Sequence, residues 1–329
     1  MTPSQSHQAK YLREDDISQK CRDLLPSLPC EKGWITTSLY QYQGFWYPTN
    51  VLNGILACQD HFRAQDTDVL LITAPKSGTT WLKAILFCLL NRAKFSGSMQ
   101  HHPLHTQNPH DLVPFLEVQL YFGQEIPNLA SLASPRLFAT HLPYTMLPRS
   151  VKDSGCKLVY LCRNPKDTCV SLWHFANKMR SKATDEMPLG ECLDAFCRGA
   201  TPFGPHWDHV QGYYNASSEI PERVLFLRYE DMKEDPHVHV NRLADFLGCP
   251  LGKQELMDGT VDRIMRMCSF DSLSALEVNK SGKLSNGVEN EWFFRKGEVG
   301  DWLNYMTIEM GEKIDRVMQE KMHGSGLKL

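Results

Sequence analysis

Residues 69–81 read VLLITAPKSGTTW, and the fold class can be argued outward from them. The first four residues form a short apolar run, which is typical of a strand buried on both faces of a parallel sheet. A turn containing Lys76 and Gly78 follows, and apolar residues then recur with helical spacing to about residue 90. Helix-start amides, two hydroxyls and a lysine are the groups that bind an oxyanion. The stretch therefore predicts a strand, an anion-binding turn and a helix.

This turn differs from the Walker loop of nucleotide triphosphatases. That loop has lysine directly after its second glycine, whereas here Lys76 precedes Gly78 and the first glycine is missing. A strand-to-helix turn capped by Ser or Thr is the plainer alternative. It leaves unexplained why a lysine, a glycine and the hydroxyls of Thr79 and Thr80 all lie within six residues. We therefore favour an oxyanion cradle.

Two further segments repeat the pattern of an apolar strand, a polar cluster and a helix. Residues 158–161 lead into Arg163-Asn164-Pro165 and a helix to about residue 178, and residues 224–227 lead into Tyr229-Glu230-Asp231. Strands that alternate with helices indicate an α/β protein whose central parallel β-sheet is flanked by helices. Ligands bind outside the carboxyl ends of such strands, so all three polar clusters are expected at one site.

The composition limits the function classes. The 329 residues carry a formal net charge of -3 with a pI of about 6.5, which excludes a broad basic surface for nucleic acid. The 11 cysteines show neither zinc-ribbon nor C-x-x-C spacing, so reduced thiols in the cytoplasm are expected. No apolar stretch suits a signal peptide or a membrane span. Residues 1–20 are expected to be disordered, and residues 21–329 to form a single domain.

Five stretches in order give the chain a specific resemblance. Residues 75–81 resemble the 5′-phosphosulfate loop of the cytosolic sulfotransferase family, and their P-loop-like turn begins a series that covers most of the chain. The other matching stretches are THLP at 140–143, RNPKD at 163–167 with Ser171, YED at 229–231, and FRKG at 294–297 followed by GDW at 300–302. The sequences FATH at 138–141 and EVNK at 277–280 look most like the plant branch, whose members serve plant secondary metabolism.

The resemblance implies a donor, a product and a set of binding residues. The donor would be 3′-phosphoadenylyl sulfate and the product adenosine 3′,5′-bisphosphate, with no metal. Trp81 and Phe270 would sandwich the adenine, and a basic C-terminal loop would cover the 3′-phosphate. The implied donor-binding residues are Lys76, Ser77, Gly78, Thr79, Thr80, Trp81, Arg163, Ser171, Tyr229, Ser269, Phe270, Arg295, Lys296 and Gly297.

Three residues are candidates for catalysis. His141 follows an apolar strand at 137–139, where a lone histidine is more often a core residue. A hydroxyl acceptor, however, needs a base that titrates near working pH, and His141 is the candidate for that base. Lys76 can stabilise the charge that develops on the leaving phosphate. The resemblance adds that Ser171 restrains Lys76. Read alone, Arg163 with Asp167 is as well explained by a helix-surface ion pair.

Several features leave alternatives open. The histidines of residues 101–105 fit no standard metal spacing and are read as loop or acceptor-pocket lining. A Mg²⁺-dependent kinase would need a metal-binding aspartate, for which Asp231 is the candidate, and a non-catalytic nucleotide-binding module would not need Lys76 and His141. Two residues before the catalytic histidine, where animal members of the family often carry lysine, this chain has Ala139. A homodimer is possible, but Gly287 and Trp292 interrupt the family's usual dimer motif.

The acceptor pocket is expected to be aromatic, and the acceptor a small hydrophobic hydroxylated molecule such as a flavonol, a hydroxyjasmonate or a steroid-like compound. A helical insert or a lid is expected over about residues 186–214, and a final amphipathic helix over about 308–322. The predicted pocket residues are Trp46, Tyr47, Tyr144, Trp173, His174, Phe175 and those of 203–207.

Overall fold

The computed structural model describes residues 9–95, 101–123, 125–180 and 185–327. Its strands, numbered in chain order, form two sheets. The strands are β1 (Cys30–Lys32), β2 (Ser38–Tyr42), β3 (Phe45–Pro48), β4 (Val69–Thr73), β5 (Leu137–Thr140), β6 (Lys157–Cys162) and β7 (Val224–Arg228). The first three form an antiparallel sheet in the order β1-β2-β3, and the other four form a parallel sheet in the order β5-β4-β6-β7.

Helices make up most of the remainder. Short 3₁₀ segments, including Tyr144–Met146, Asn290–Phe293 and Asp301–Asn304, and a π segment at Leu116–Leu120 complete the elements. The helices are α1 (Gln19–Leu24), α2 (Thr49–His61), α3 (Thr79–Asn91), α4 (Pro109–Leu112), α5 (Arg149–Asp153), α6 (Pro165–Met179), α7 (Leu189–Arg198), α8 (His206–Glu219), α9 (Tyr229–Glu234), α10 (Pro236–Phe246), α11 (Lys253–Met257), α12 (Thr260–Met267), α13 (Phe270–Ala275), α14 (Glu277–Lys280) and α15 (Ile308–Lys321).

The parallel sheet is covered on both faces. Successive residues of β4 alternate between two hydrophobic clusters: Leu70 and Ile72 pack in the cluster that includes α2, α6 and α8, whereas Val69 and Leu71 pack in the one that includes α3, α10 and α12. Because both faces are buried, each strand is mainly apolar, with polar or charged residues only at its ends. The predicted α/β class with a central parallel sheet and flanking helices is confirmed.

The amino-terminal part differs from the sequence-based expectation. Residues 1–8 lie outside the described residues, but residues 9–20 are packed rather than disordered. Tyr11 is 9% exposed, donates from its hydroxyl to Met179 O at 3.2 Å, and accepts at its carbonyl from Asn50 Nδ2 at 2.5 Å. Ile17 is 5% exposed. Tyr11 and Ile17 are isolated apolar residues in a polar segment, so the sequence shows no periodic pattern there. Both nevertheless pack in hydrophobic clusters of the folded protein.

Two other sequence expectations concern helices. The segment expected to be a helical insert or a lid at 186–214 contains α7, a loop and the first half of α8, and the expected final helix is α15. Among the described residues, no helix is both long enough and apolar enough to cross a bilayer.

Candidate active site

Strand register brings the predicted site segments to one edge of the parallel sheet. Ile72 lies beside Thr140 and Thr73 beside Leu161, while Cys162 lies beside Arg228. The residues that follow these strand ends, Lys76, His141, Arg163 and Tyr229, therefore meet although they are up to about 150 positions apart.

The turn after β4 has a conformation that depends on its glycine. Gly78 has a φ of +102° and forms the N-cap of α3, and a Cβ there would lie only 2.7 Å from Cδ2 of Tyr229. Lys76 also has a positive φ, +69°. The hydroxyls of Thr73 and Thr79, 2.6 Å apart, close the turn. This tight turn places the start of α3 next to open space at the edge of the sheet. The first backbone amides of α3 have no carbonyl partners within the helix.

A cavity of about 270 Å³ lies at this position. Of the 14 donor-binding residues predicted from the sequence, all except Ser77 line it, and His141 lines it as well. Ser77 is fully buried beneath the turn, and its Oγ has no hydrogen-bond partner among the described residues. The five stretches that were singled out in the sequence are therefore parts of one cavity wall.

The cavity wall is cationic. Arg163 is 5% exposed and lies 3.5 Å from the carboxylate of Asp167, so this pair is buried rather than on a helix surface. Asp301 pairs with Arg295 at 2.5 Å and with Lys296 at 2.8 Å. The Nε atoms of Arg163 and Arg295 are buried without a partner among the described residues. Such orphaned donors fit an anionic group that completes their hydrogen bonds.

The C-terminal loop is tied to the sheet edge. Asp167 of α6 accepts hydrogen bonds from the amides of Gly300 at 2.8 Å and Trp302 at 2.9 Å. The Tyr229 hydroxyl donates to Gly297 O at 2.7 Å. These bonds hold residues 295–297 over the cavity, whose wall also contains Arg163, Ser269 and Phe270.

The ammonium group of Lys76 lies 3.9 Å from the centre of the Phe175 ring. The Phe293 ring centre lies 5.7 Å away, and the structure shows no hydrogen bond from Lys76 Nζ to Ser171 among the described residues. Burial, followed by the positive charges of Arg295 and Arg163, lowers the pKa of Lys76 to about 7. An anion in the cavity opposes these effects, so Lys76 is poised to gain charge when an anion binds.

His141 sits where the cavity meets a second one. Its Nδ1 donates to Thr73 O at 2.8 Å, so Nε2 keeps its lone pair. Burial lowers the pKa of His141 to about 3, with Lys83 and Lys76 acting in the same direction, and the imidazole is neutral at working pH. The rings of Phe115 and Phe203 lie 4.5 Å and 5.3 Å away, centre to centre. A neutral, oriented imidazole is the form that accepts a proton.

Two buried polar residues that the sequence reading missed hold the His141 segment. Glu117 accepts from the His141 amide at 2.7 Å and from the Thr140 hydroxyl at 2.7 Å. His209 donates from Nε2 to His141 O at 2.8 Å. A charged residue inside the apolar run 113–120 was the available signal for Glu117, since a buried carboxylate needs such partners.

The second cavity, of about 140 Å³, shares Pro75, Phe115, His141, Phe175 and Phe293 with the first. Its described lining carries no Lys, Arg, Asp or Glu side chain. The rest of that lining is Tyr11, Ile35, Thr36, Pro48, Asn50, Val51, Val118, Gln119, Phe122, Leu172, Met179, Pro202, Phe203, Leu284, Asn286 and Val288.

Few of the residues that the sequence predicted for the acceptor pocket line this second cavity. Only Phe175 and Phe203 of that set belong to it. Tyr47 is fully buried behind Phe203, with ring centres 5.5 Å apart, and Tyr144 packs on Tyr213. Trp46 lies in β3, and Trp173 and His174 pack against Tyr305. Aromatic content pointed to the right segments, but strand alternation and helix rotation decide which side chain faces the cavity.

The alternative metal readings find no support in the site. His102 is buried and lies 3.7 Å from the Cys88 sulfur, away from any cluster of acidic residues. Asp231 pairs with Arg228 at 3.6 Å and does not line either cavity. Across the described ranges, no three His, Cys, Asp or Glu side chains come together as a metal-binding group.

Comparisons with known proteins agree with the geometry. The family model of the sulfotransferase domain matches residues 66–326. Cytosolic sulfotransferase 12 and cytosolic sulfotransferase 5 of Arabidopsis thaliana are 49% and 48% identical over 326 and 321 residues, covering 99% and 96% of this chain and 98% of each relative.

Solved structures give the same result. A crystal structure of an Arabidopsis thaliana protein assigned as a steroid sulphotransferase has a TM-score of 0.78 and 43% identity, covering 97% of this chain and 98% of that one. Mouse sulfotransferase SULT7A1 complexed with PAP (adenosine 3′,5′-bisphosphate) has a TM-score of 0.66 and 27% identity, covering 87% and 95%.

The chain therefore belongs to the sulfotransferase domain family, in the group of the plant cytosolic sulfotransferases. It is an enzyme that takes its sulfuryl group from 3′-phosphoadenylyl sulfate and releases adenosine 3′,5′-bisphosphate.

Proposed function

We propose that the enzyme transfers the sulfuryl group to a hydroxyl of a small, hydrophobic and uncharged metabolite, with His141 as general base. The observation that carries this proposal is the meeting of two cavities of opposite character at His141. One is lined by Arg163, Arg295 and Lys296, and the other by apolar side chains. An anionic donor and an apolar acceptor would thus reach the same imidazole.

In this mechanism His141 accepts the acceptor's proton at Nε2 while Nδ1 stays bonded to Thr73 O. The acceptor oxygen forms a bond to sulfur as the bond from sulfur to the phosphate oxygen breaks. Lys76 and the first amides of α3 stabilise the negative charge that grows on the leaving phosphate. In-line transfer of this kind relies on positioning and charge, by analogy with phosphoryl transfer.

The donor-binding roles are proposed on the same geometry. Arg163 and Arg295 would complete their buried Nε hydrogen bonds with the 3′-phosphate, and Trp81 and Phe270 would flank the adenine. Ser171 lines the same cavity as Lys76 and would restrain it in the donor complex before the acceptor enters, which requires the Lys76 ammonium group to leave its present position against Phe175. The fully buried Ser77 would act from behind the turn rather than from the cavity wall.

The second cavity supports an uncharged acceptor. A carboxylate placed there would lose its hydration without gaining a cation, which costs several kcal/mol. Its described polar groups are largely engaged within the protein; Asn286, for example, donates to Val118 O at 3.1 Å. Flavonols, steroid-like alcohols and esters therefore fit better than the carboxylate of a free hydroxyjasmonate. By its relatives' names, the enzyme would work in the cytosol.

The test is a transfer assay with labelled 3′-phosphoadenylyl sulfate. A flavonol, a hydroxysteroid, a hydroxyjasmonic acid and its methyl ester are compared as acceptors. The methyl ester is expected to have the higher kcat/KM of the matched pair. Equal or better use of the free acid would contradict the uncharged-acceptor proposal, whereas no transfer to any hydroxyl would overturn the acceptor class.

A pair of variants separates the two cavities. Val118→Phe narrows the second cavity and is expected to raise the KM for the acceptor without changing affinity for adenosine 3′,5′-bisphosphate. Val238→Phe, at a side chain that is 55% exposed, makes the same change elsewhere and should alter neither.

A further inference from the structure

Lys83 is a buried lysine that the mechanism above does not use. It lies in the second turn of α3, is fully buried, and has no carboxylate within ion-pair distance among the described residues. Its Nζ is 3.0 Å from His110 Nδ1 and 3.4 Å from the centre of the Phe115 ring. Burial without a counter-ion disfavours the ammonium form of the side chain, but the neutral amine can still donate a hydrogen bond.

His110 connects Lys83 to the donor loop. The histidine is 2% exposed, and its ring lies between those of Phe115 and Phe293, with centres 5.4 Å and 4.0 Å away. Its Nε2 is 2.9 Å from Thr80 Oγ1. Because Lys83 donates to Nδ1, the ring proton is on Nε2 and is donated to Thr80. The Thr80 oxygen is thereby occupied as an acceptor, and its own proton remains for another partner.

We propose that Lys83 and His110 are positioning residues that act through Thr80, holding its hydroxyl so that its proton is directed at the 5′-anion of the nucleotide. Thr80 and His110 line the donor cavity, whereas Lys83 does not and can act only through them. The inference rests on the proposed binding of the donor at this loop. Hydrogen bonds in such a chain polarise one another, so the buried amine strengthens the last donor of the chain.

The electrostatic setting agrees with this role. Burial lowers the pKa of Lys83 well below its usual range, with Glu117 and Asp111 acting in the opposite direction. Burial also lowers the pKa of His110, helped by Lys83, Lys76 and His141. A neutral His110 is the form that can both accept from Lys83 and donate to Thr80.

The test compares two nucleotides that differ only in the 5′-phosphate. Affinities for adenosine 3′,5′-bisphosphate and adenosine 3′-monophosphate are measured by calorimetry on the full chain. Lys83→Met is expected to weaken binding of the bisphosphate about ten- to hundredfold, because the Thr80 hydrogen bond to the charged 5′-phosphate is lost. The 3′-monophosphate should bind as before. Lys94→Met removes an exposed lysine just beyond α3 and should change neither affinity.

Two further variants show whether Lys83 works through the chain. His110→Phe keeps the ring but breaks both hydrogen bonds, and should match Lys83→Met. Thr80→Val removes the last donor, so Lys83→Met should cause little further loss in that background. Because Met is a good isostere for the lysine stem, melting temperatures serve to check that the variants fold.

Three results would overturn the relay. Equal loss for both nucleotides would mean a structural role for Lys83. Additive losses in the double variant would mean that Lys83 does not act through Thr80. If the unchanged enzyme bound both nucleotides equally, the 5′-anion would not sit at this loop, and the donor-site proposal would fail together with the relay.

Discussion

At the scale of the residue, His141 is held by three hydrogen bonds, a fourth fixes its partner Glu117, and none of them uses Nε2 of His141. Its side chain donates to Thr73, its amide to Glu117, and its carbonyl accepts from His209, while the Thr140 hydroxyl steadies Glu117. All of these bonds orient the ring rather than consume Nε2. A side chain oriented in this way is pre-organised for proton transfer.

We expect His141→Ala to abolish most turnover while nucleotide affinity and melting temperature barely change. General bases typically contribute about 100- to 10,000-fold, and the nucleotide is held by other residues. A phenol of low pKa should lose less than an alkyl alcohol, since it ionises more easily. Kinetics with both acceptors, beside calorimetry and thermal melting, check this. Near-normal turnover of the alkyl alcohol would count against the general-base role.

Lys76 makes donor binding depend on pH. Its pKa of about 7 in the empty site is raised when an anion binds. Below pH 7 the lysine is charged in both states, so affinity should be flat. Above pH 7 binding must take up a proton, so affinity should fall by up to about tenfold per pH unit until the bound-state pKa is reached.

Calorimetry at pH 8 in two buffers of different ionisation enthalpy measures this proton uptake directly. At that pH the nucleotide phosphates are fully ionised and do not contribute. Lys76→Arg keeps the positive charge at every pH and should remove the uptake. If the unchanged enzyme binds adenosine 3′,5′-bisphosphate at pH 8 with no proton uptake, Lys76 is not the titrating group.

At the scale of the element, the C-terminal loop depends on α6. Asp167 accepts the amides of Gly300 and Trp302, and its carboxylate is 1% exposed. An asparagine at position 167 has one side-chain oxygen and one NH₂ group in place of two oxygens. One of the two backbone amides therefore loses its hydrogen-bond acceptor. An unsatisfied buried group costs about 1–3 kcal/mol. The loop that carries Arg295 and Lys296 should then be held less firmly.

Asp167→Asn is therefore expected to weaken the binding of adenosine 3′,5′-bisphosphate more than that of 5′-AMP, which lacks the 3′-phosphate. The matched control is Asp315→Asn, which removes an exposed carboxylate paired with Lys166 from the neighbouring α15. It should leave both affinities unchanged. The ratio of the two dissociation constants is the measurement, and an unchanged ratio for Asp167→Asn would show that the loop does not need this anchor.

At the scale of the whole molecule, the donor cavity joins segments that are far apart in the chain. Its wall contains residues from 75–81, 163–175, 229–236, 265–273 and 293–297. A ligand bound at all of these segments stabilises the folded state against unfolding of any one of them. At 100 times the dissociation constant, binding adds about 2.7 kcal/mol.

Adenosine 3′,5′-bisphosphate should accordingly raise the melting temperature by a few degrees, and a chelator should not reduce this shift. The described cavity lining carries cations and no carboxylate, which is not the ligand set of Mg²⁺. Arg163→Ala combined with Arg295→Ala should remove most of the shift. A shift that disappears with the chelator would instead indicate a metal in the complex.

Much of this architecture could be predicted from the sequence. The apolar runs at 69–72, 158–161 and 224–227 can be buried only on both faces, so a parallel sheet follows from composition and spacing. The polar clusters directly after them had to meet at the carboxyl edge. The resemblance to the sulfotransferase family supplied the remaining site residues, and 13 of the 14 donor-binding residues that it implied line one cavity.

Only the tertiary structure decided what faces what. Trp46 and Tyr47 were equally good candidates for the acceptor pocket, but their positions in β3 and behind Phe203 exclude them from its wall. Lys83 and His110 come together because α3 and α4 pack side by side, which neither sequence neighbourhood reveals. Local sequence determines backbone pattern and polarity. Partners distant in the chain determine which side chain is buried, which is paired and which remains free for a ligand.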